Sequence, residues 1–316
     1  MTRIYLADPA IRLQQLDAIR SRLPQGWSLV DQPHNAVAIL TENADVTPEM
    51  LAASGTSLRL ICRLDTGDAT VPATTVDVVD LPNTALTGVA EHAVMLIMAL
   101  GHHLFWVARQ TAQRRWLPDR SDPILTDQTK YTYNWIGLED FGTLYRKTVG
   151  IVGLGRIGRA MVTRLQGFGM HILYTQRHRL DTWEESRMDV HWRKLDDLLR
   201  ESDFVTLHLR FEEGPSGNDK QFGAREFALM RPSAYFINTS RGRVVDEDAL
   251  VEAIRSGQIA GGGLDVFRYE PLPADDPLLA LAGDNVVLTS HLAGAPVTEA
   301  WQTIADELVE RIQAVL

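Results

Sequence analysis

The sequence predicts an α/β protein made of two doubly wound parallel-sheet domains with a cleft between them. Short apolar strand patterns alternate with helical patterns, which is typical of parallel sheets joined by crossover helices. The alternation stops in a polar stretch at 117–146 and then resumes. The length of 316 residues also exceeds the size at which one hydrophobic core usually stops growing, so we expect two domains.

In the first part of the chain, strands are predicted at 3–7, 37–40 and 58–64, and helices at 11–23 and from Thr47 onward. The segment 88–110 is apolar around most of its circumference and predicts one long buried helix. The polar stretch at 117–146 is long for a loop inside a compact domain. We therefore expect it to be a surface excursion or part of an interface.

From residue 147 a second alternation begins, which predicts a Rossmann-like or flavodoxin-like domain. The predicted strands are 148–154, 170–175, 203–209, 234–240, 261–267 and 285–290. The predicted helices are 156–168, 195–201, 224–230, 246–257 and the amphipathic segment 297–316.

Composition narrows the class of protein. Hydrophobic residues make up 45% and charged residues 23%, which is ordinary for a soluble globular protein. A net charge of −10 argues against a nucleic-acid or anionic-membrane partner. The first residues lack the apolar core of a secretion signal, and the single cysteine, Cys62, fits a reducing compartment, so we expect a cytoplasmic protein. The sequence contains no Cys and His cluster with the spacing of metal ligands, which disfavours a metal-dependent alcohol dehydrogenase. It also contains no G-x-S-x-G motif after a predicted strand, which disfavours a serine hydrolase.

Gly153, Gly155 and Gly158 have the G-x-G-x-x-G spacing, directly after a predicted strand and at the start of a predicted helix. In such a unit the first glycine allows a tight turn, the second lets the backbone reach a pyrophosphate, and the third lets the helix pack on the strand. The helix N-terminus then offers N–H groups to phosphate oxygens. This context predicts a dinucleotide-binding site.

The dinucleotide unit lacks its usual acidic residue. An Asp or Glu about 20 residues after the glycines normally binds the adenosine ribose hydroxyls. That position falls near Gln176, followed by Arg177 and Arg179. Arg210 follows the strand 203–209, at the same edge of the predicted sheet. Arginines pair well with a 2′-phosphate, so the sequence favours NADP(H) over NAD(H).

Several segments carry a resemblance to a known family. The stretch INTSRGRVVDEDALVEAIRSGQIAGGGLDVFRYEPLP at 237–273 is similar to the D-isomer-specific 2-hydroxyacid dehydrogenases. SHLAG at 290–294, VGIVGLGRIG at 149–158 and NTALTGVAEHAVML at 83–96 add to the likeness, which covers most of the chain from about residue 58. The first 57 residues match only in pattern.

The resemblance implies a catalytic set of Arg241, Glu270 and His291. Reduction of a 2-keto acid needs a cation that holds the carboxylate and polarises the carbonyl, and a guanidinium does both. It also needs a proton donor near neutral pH, and the free imidazole has a pKa of about 6.5. A carboxylate beside that imidazole keeps it protonated and oriented.

The resemblance also implies contacts to cofactor and substrate. Asp265 matches a residue that accepts a hydrogen bond from the nicotinamide carboxamide, and Arg156 and Ile157 lie where the turn approaches the pyrophosphate. The turn that binds the substrate carboxylate corresponds to LDTGDATV at 64–71, which assigns Thr66 and Gly67 to the substrate. Asp65 replaces a glycine of the family pattern there, which leaves the identity of the substrate open.

The family pattern implies a discontinuous substrate domain, 1–98 plus 292–316, and an NAD(P)-binding domain at 99–291. It also implies a homodimer supported by the helix after Gly88. We expect an NADP(H)- or NAD(H)-linked reductase of small 2-keto acids such as glyoxylate or hydroxypyruvate. The alternatives are a phosphoglycerate dehydrogenase-like enzyme and a non-catalytic dinucleotide-sensing protein that resembles corepressors.

Overall fold

The computed structural model describes residues 2–8, 13–42, 44–64, 69–81, 84–139, 142–294 and 298–316. The chain divides into two compact units. The first consists of Met1–Gly88 and Gly294–Leu316, and the second is the continuous segment Val89–Ala293. The first division falls inside a helix, ahead of the predicted boundary at residue 98. The assignment of the first unit to substrate binding stays a prediction.

The strands and helices are numbered in chain order over the described residues. The strands are β1 Thr2–Leu6, β2 Trp27–Val30, β3 Ala38–Thr41, β4 Leu60–Leu64, β5 Asp77–Leu81, β6 Thr148–Val152, β7 His171–Thr175, β8 His191–Trp192, β9 Phe204–Leu207, β10 Tyr235–Asn238, β11 Gly261–Leu264 and β12 Val286–Leu288. The helices are α1 Leu13–Arg22, α2 Pro48–Ser54, α3 Thr84–Gly101, α4 Leu104–Ala112, α5 Arg156–Gln166, α6 Thr182–Met188, α7 Leu195–Glu201, α8 Ala224–Leu229, α9 Glu247–Arg255 and α10 Thr298–Gln313. Short 3-10 helices lie at Gly55–Ser57, Pro118–Arg120 and Gly242–Val244.

The first unit contains a parallel sheet with the strand order β2-β1-β3-β4-β5. Its helix α2 starts as its sequence dictates, because Thr47 caps it by accepting the Met50 N–H at 3.3 Å and Pro48 occupies the first turn. Helices α1 and α10 pack against each other. The core between them and the sheet contains buried Ile4, Cys62 and Leu308. The C-terminal segment therefore completes the core of the N-terminal unit.

The second unit contains a parallel sheet with the order β12-β11-β10-β9-β6-β7-β8. Alternate residues of β6 face opposite sides, since Ile151 and Val152 belong to separate cores. One core includes side chains of α3 and α5, and the other those of α7, α8 and α9. Helices therefore cover both faces. The order reverses between β6 and β9, and ligands of such sheets bind outside the carboxyl ends of the strands at that point.

The predicted single helix over 88–110 is wrong. Helix α3 ends at Gly101 and α4 begins at Leu104, and the two axes are bent by 56°. His103 at the break has φ 51°, in the left-handed region. The chain returns here at Gly142, where an added Cβ would lie 2.2 Å from the Gly101 carbonyl oxygen. A side chain at Gly142 would therefore clash with the end of α3.

Among the described residues no single helix is long and apolar enough to cross a bilayer. The bent pair Leu86–Gly101 and Leu104–Ala112 meets the criterion only when both helices are counted together.

The polar stretch at 117–146 follows α4. In its described part, the Leu117 N–H donates to the Trp135 carbonyl at 2.7 Å. The Asn134 side chain both accepts from and donates to the Leu138 backbone, at 2.9 and 3.0 Å. Leu125 is 91% exposed and Tyr133 is 72% exposed. The described part of the stretch thus lies at the surface, is held by its own hydrogen bonds and leaves large apolar side chains in solvent.

Candidate active site

The glycine-rich turn connects β6 to α5 and has the geometry that each glycine position requires. Gly153 has φ 95°, and a Cβ there would lie 2.4 Å from the His208 carbonyl oxygen. A Cβ on Gly155 would meet nothing within 4 Å, so its backbone faces open space. A Cβ on Gly158 would lie 2.6 Å from the Gly153 carbonyl oxygen. The turn is therefore tight at its first and third glycines and open at the second, which fits an approaching pyrophosphate.

A cleft of about 710 Å³ opens beside this turn in the second unit. Val152 and Thr175, which end β6 and β7, lie in its wall, so the cleft is at the carboxyl edge of the sheet. Its lining residues are Val152, Thr175, Gln176, Arg177, His178, Leu195, Leu209, Arg210, Glu212, Ser216, Gly217, Asn218 and Gln221. Predicted cofactor residues Gln176, Arg177 and Arg210 are among them.

The two arginines after β7 differ in their surroundings. Arg177 lines the cleft, where its guanidinium pairs with Glu212. Arg179 lies outside the cleft lining and binds Glu185 of α6 through two hydrogen bonds of 2.7 and 2.8 Å. That contact, reinforced by the Tyr174 hydroxyl at 2.7 Å, lowers the pKa of Glu185 to about 2. The structure thus leaves Arg177 at the cleft and engages Arg179 elsewhere.

Two buried polar atoms lie at the ends of neighbouring strands without a hydrogen-bond partner among the described residues. They are Nδ1 of His208, just after β9, and Oγ1 of Thr239, just after β10. The other ring nitrogen of His208 contacts the Thr206 hydroxyl at 2.9 Å. Burial lowers the pKa of His208 to about 3, so its ring is neutral at pH 7. Unsatisfied buried polar atoms are rare and costly in folded proteins, so these two atoms mark the ends of β9 and β10 as unusual.

Glu270 and His291 form a direct pair after β11 and β12. The distance between His291 Nδ1 and Glu270 Oε2 is 2.7 Å. The other oxygen of Glu270 accepts the Phe267 N–H at 2.9 Å, which fixes the carboxylate. The His291 side chain is 45% exposed, so its ring remains accessible. The pair is an oriented imidazole with one nitrogen bound to a carboxylate, an arrangement suited to proton transfer.

The backbone at His291 is held by Asp265. His291 has φ 55°, a conformation that residues other than glycine rarely adopt. Asp265 is fully buried, and its oxygens accept the N–H groups of Leu292 and Ala293, both at 2.9 Å. The Thr289 hydroxyl donates to the same carboxylate at 2.5 Å. Asp265, predicted to contact the nicotinamide, therefore also fixes the turn that carries His291.

Arg241 lies on a turn that Asn238 organises. The Asn238 side chain accepts from the Ser240 N–H at 3.0 Å and donates to the Arg241 carbonyl at 3.0 Å. One Arg241 nitrogen donates to the Ser240 carbonyl at 2.7 Å, and the side chain is exposed. A Cβ on Gly242 would lie 1.9 Å from the Phe267 carbonyl carbon. Gly242 thus allows the Arg241 turn to pack against the segment that leads to Glu270.

The three predicted catalytic residues follow adjacent strands of one sheet, β10, β11 and β12. A contact joins Glu270 to His291. Arg156 and Ile157 begin α5, next to the open Gly155. Thr66 and Gly67 lie outside the described residues. Among the described residues, no group of three His, Cys, Asp or Glu side chains is placed to hold a metal ion.

Three residues of the site were not predicted from the sequence. No role was assigned to His208, nor to Glu212 or Asn218. Both of the latter line the cleft. The rule that pointed to Arg210, namely its place after a central strand, applies equally to Glu212. The unpaired nitrogen of His208 has no sequence signal, because it depends on what neighbouring strands supply.

Comparisons with known proteins bear on the same residues. The family profile "D-isomer specific 2-hydroxyacid dehydrogenase, NAD binding domain" matches residues 94–293. A glyoxylate reductase of Korarchaeum cryptofilum is 47% identical over 152 residues, which are 48% of this chain and 44% of that protein. A glyoxylate/hydroxypyruvate reductase B of Shigella boydii is 45% identical over 183 residues, 56% of this chain and 55% of that protein. These matches span about half the length of each relative.

A solved structure shows a similar fold. The D-isomer specific 2-hydroxyacid dehydrogenase from Lactobacillus delbrueckii ssp. bulgaricus, in its NAD complexed form, superposes with a TM-score of 0.66. The identity is 20%, and the match covers 99% of this chain and 97% of that one. The predicted fold class of parallel-sheet α/β domains is thereby confirmed.

Proposed function

This chain belongs to the family of the D-isomer specific 2-hydroxyacid dehydrogenases, and we propose that it is an NAD(P)H-linked reductase of small 2-keto acids. The names of its relatives, glyoxylate reductase and glyoxylate/hydroxypyruvate reductase B, support glyoxylate and hydroxypyruvate as substrates. The contact of 2.7 Å between His291 and Glu270 is the observation that carries the proposal.

Residues 94–293 match the NAD-binding domain of the family, so the cofactor is a nicotinamide dinucleotide. When bound, it supplies the hydride that adds to the carbonyl carbon. We assign its pyrophosphate to the N–H groups at Gly155, Arg156 and Ile157, because α5 begins there and the Cβ position of Gly155 faces open space. We assign the adenosine end to the cleft with Gln176, Arg177 and Arg210 and propose a preference for NADP(H).

We propose His291 as the proton donor. Its Nδ1 is bound to Glu270, so Nε2 is the nitrogen left to face a substrate. As hydride adds to the carbonyl carbon, the carbonyl oxygen takes the proton from Nε2, and the product is a 2-hydroxy acid. Glu270 holds the ring in one orientation and stabilises the cationic imidazole before transfer. In the reverse reaction the same nitrogen accepts the proton.

We propose that Arg241 binds the substrate carboxylate. One guanidinium nitrogen donates to the Ser240 carbonyl, and the side chain is exposed, so it offers further N–H donors to an anion. We also retain Thr66 and Gly67 as substrate contacts, on the family resemblance alone. A guanidinium that binds the carboxylate of a keto acid would lie next to the reacting carbonyl and stabilise the negative charge that develops on its oxygen.

We further propose a homodimer in the cytoplasm. Leu104 and Phe105 of α4 are 53% and 44% exposed, and a second copy would cover them. The single cysteine, Cys62, is buried and its pKa is raised to about 12 by burial, so it is an unreactive thiol that fits a reducing compartment. Light scattering on the purified protein tests the dimer, and a monomeric mass would contradict it.

The decisive experiment is a panel of 2-keto acids, with and without a phosphate group, scored for oxidation of NADPH and NADH. We expect turnover of glyoxylate or hydroxypyruvate, and a loss in kcat of about 10²- to 10⁴-fold in His291→Gln. Glu270→Gln should also lower kcat, since Phe267 and His291 contact different oxygens of the carboxylate and the substitution turns one of these oxygens into an NH2 donor.

The matched control is His171→Gln, which changes an exposed histidine at the start of β7. Near-full turnover by His291→Gln would contradict its role. Turnover restricted to a phosphate-bearing acid would favour the phosphoglycerate dehydrogenase-like alternative. Dinucleotide binding without turnover of any acid would favour the sensor.

A further inference from the structure

The carboxylate of Glu212 lies in the part of the cleft to which we assign the 2′-phosphate of NADP(H). Arg177, which directly follows the position of the usual acidic residue at Gln176, is paired with Glu212 in the loop after β9. Both side chains line the cleft and both reach solvent, with exposed fractions of 72% for Arg177 and 40% for Glu212. Because the pair is exposed, an incoming ligand can break it without burying a charge.

The loop that carries Glu212 is built to hold it at the cleft. The side chain of Asn218 accepts the Glu212 N–H at 2.8 Å and donates to the Arg210 carbonyl at 2.7 Å. The Asn218 N–H in turn donates to the Glu212 carbonyl at 3.0 Å. Gly217 runs so close that a Cβ there would lie 2.2 Å from that carbonyl oxygen. These contacts fix the backbone of Glu212. They do not involve its carboxylate, which pairs with Arg177.

Two cations, Arg177 and Arg210, attract the Glu212 carboxylate at this end of the cleft. Arg177 is the main cause that lowers the pKa of Glu212, and Arg210 contributes to the same shift. The carboxylate is therefore ionised at neutral pH. It cancels part of the positive charge that a 2′-phosphate would use, and the phosphate must displace it from Arg177 to bind bidentately.

We propose that Glu212 is a built-in rival of the cofactor 2′-phosphate for Arg177 and so limits how strongly the cleft prefers NADP(H) over NAD(H). This inference rests on the proposed function, since it takes the cleft to hold the adenosine end of the cofactor. An adenosine with a plain 2′-hydroxyl leaves the Arg177–Glu212 pair intact. An adenosine with a 2′-phosphate breaks it and then lies near an unpaired carboxylate of the same sign.

The test uses adenosine fragments rather than turnover. Calorimetry on the full chain measures 2′,5′-ADP and 5′-AMP, which differ only in the 2′-phosphate. In Glu212→Gln we expect 2′,5′-ADP to bind roughly fivefold more tightly, with 5′-AMP changed less than about twofold. The gain should shrink at high salt, because exposed charges are screened.

Glu213→Gln is the matched control. Glu213 neighbours Glu212 but lies outside the cleft lining and pairs with Arg243 at 3.2 Å. Its substitution removes the same charge from the same loop and should leave both fragments unchanged. In an Arg177→Gln background, Glu212→Gln should lose most of its effect, since the rivalry needs both residues.

The possible outcomes distinguish a failure of this inference from a failure of the proposed function. If both fragments bind and Glu212→Gln changes neither, the ion pair is an ordinary surface contact and the inference is wrong, while the dehydrogenase proposal stands. An equal gain in Glu213→Gln would also overturn it, since the effect would be one of net charge. If neither fragment binds any variant, the cofactor assignment of the cleft fails together with the inference.

Discussion

Asp265 holds the left-handed turn at His291, because its carboxylate accepts the N–H groups of the two residues that follow the histidine. Asp265 directly follows β11, and His291 follows β12, so one buried carboxylate links the ends of neighbouring strands. His92 of α3 is also near, with its Nε2 2.9 Å from the Thr289 hydroxyl. The position of the proposed proton donor thus depends on a residue that need not touch the substrate.

Asp265→Asn should lower both kcat and stability. An amide can offer only one oxygen, so an N–H of the His291 turn or the Thr289 hydroxyl would lose its acceptor, at a cost of about 1–3 kcal/mol. A displaced imidazole should reduce kcat by about tenfold or more. The measurements are kcat, the KM for NAD(P)H and Tm, the last expected to fall by a few degrees, roughly 2–4 °C per kcal/mol.

Two comparisons show how Asp265 acts. Asp248→Asn removes a carboxylate that is 71% exposed and should leave kcat unchanged. In a His291→Gln background, Asp265→Asn should add little further loss of kcat, because the two changes affect the same step. A raised KM for NAD(P)H at unchanged kcat would instead show that Asp265 acts through the predicted nicotinamide contact.

Gly155→Ala and Gly158→Ala should separate cofactor binding from folding. Gly155 has φ −74° and open space around its Cβ position, so alanine should fold with an unchanged Tm and yet obstruct a pyrophosphate. Gly158 lies against the Gly153 carbonyl, so alanine there should lower Tm as well. Thermal unfolding and dinucleotide titration measure the two effects. Unimpaired dinucleotide binding by Gly155→Ala would refute the assigned pyrophosphate position.

Glu185→Gln should destabilise the protein at neutral pH but not in acid. Arg179 lowers the pKa of Glu185 from 4.5 to about 2, so the ionised carboxylate stabilises the fold above its ordinary pKa. That contribution is lost as the pH falls from about 4.5 towards about 2. Since Arg179 is 53% exposed, we expect only about 1 kcal/mol at pH 7.

Unfolding curves of the wild type and Glu185→Gln across this pH range make the comparison. Their difference should close on acidification, whereas Glu252→Gln, an exposed change on α9, should give no such trend. A difference that persists unchanged down to the acid limit would mean that Glu185 stabilises the protein by packing rather than by charge.

The fold class and the family could be predicted because they depend on local patterns. The strand before Gly153 and the helix after it are continuous in sequence, and both form as expected. The resemblance to the family is confirmed by the profile over 94–293. Strands β2, β5 and β8 were not predicted, because β2 is a four-residue edge strand, β5 carries Asp77 and Asp80 on the opposite edge of that sheet, and β8 has only two residues.

Other features depend on distant residues and so have no local signal. Helix α3 stops where Gly142 meets Gly101, a contact between segments far apart in sequence. Arg179 was expected to contact the cofactor, and its bond to Glu185 depends on α6, a helix that the sequence analysis did not detect. The pairing of Arg177 with Glu212 likewise joins loops after two different strands.

In the strand order β12-β11-β10-β9-β6-β7-β8, the proposed catalytic residues and the proposed cofactor-selecting residues follow different strands of one sheet. Arg241, Glu270 and His291 follow β10, β11 and β12, whereas Arg177 and Glu212 follow β7 and β9. Under the proposed function, substitutions in the loops after β7 and β9 can therefore change which dinucleotide is accepted while the contact between Glu270 and His291 is kept. Protein engineering that exchanges the cofactor would then need no change at the proposed proton donor.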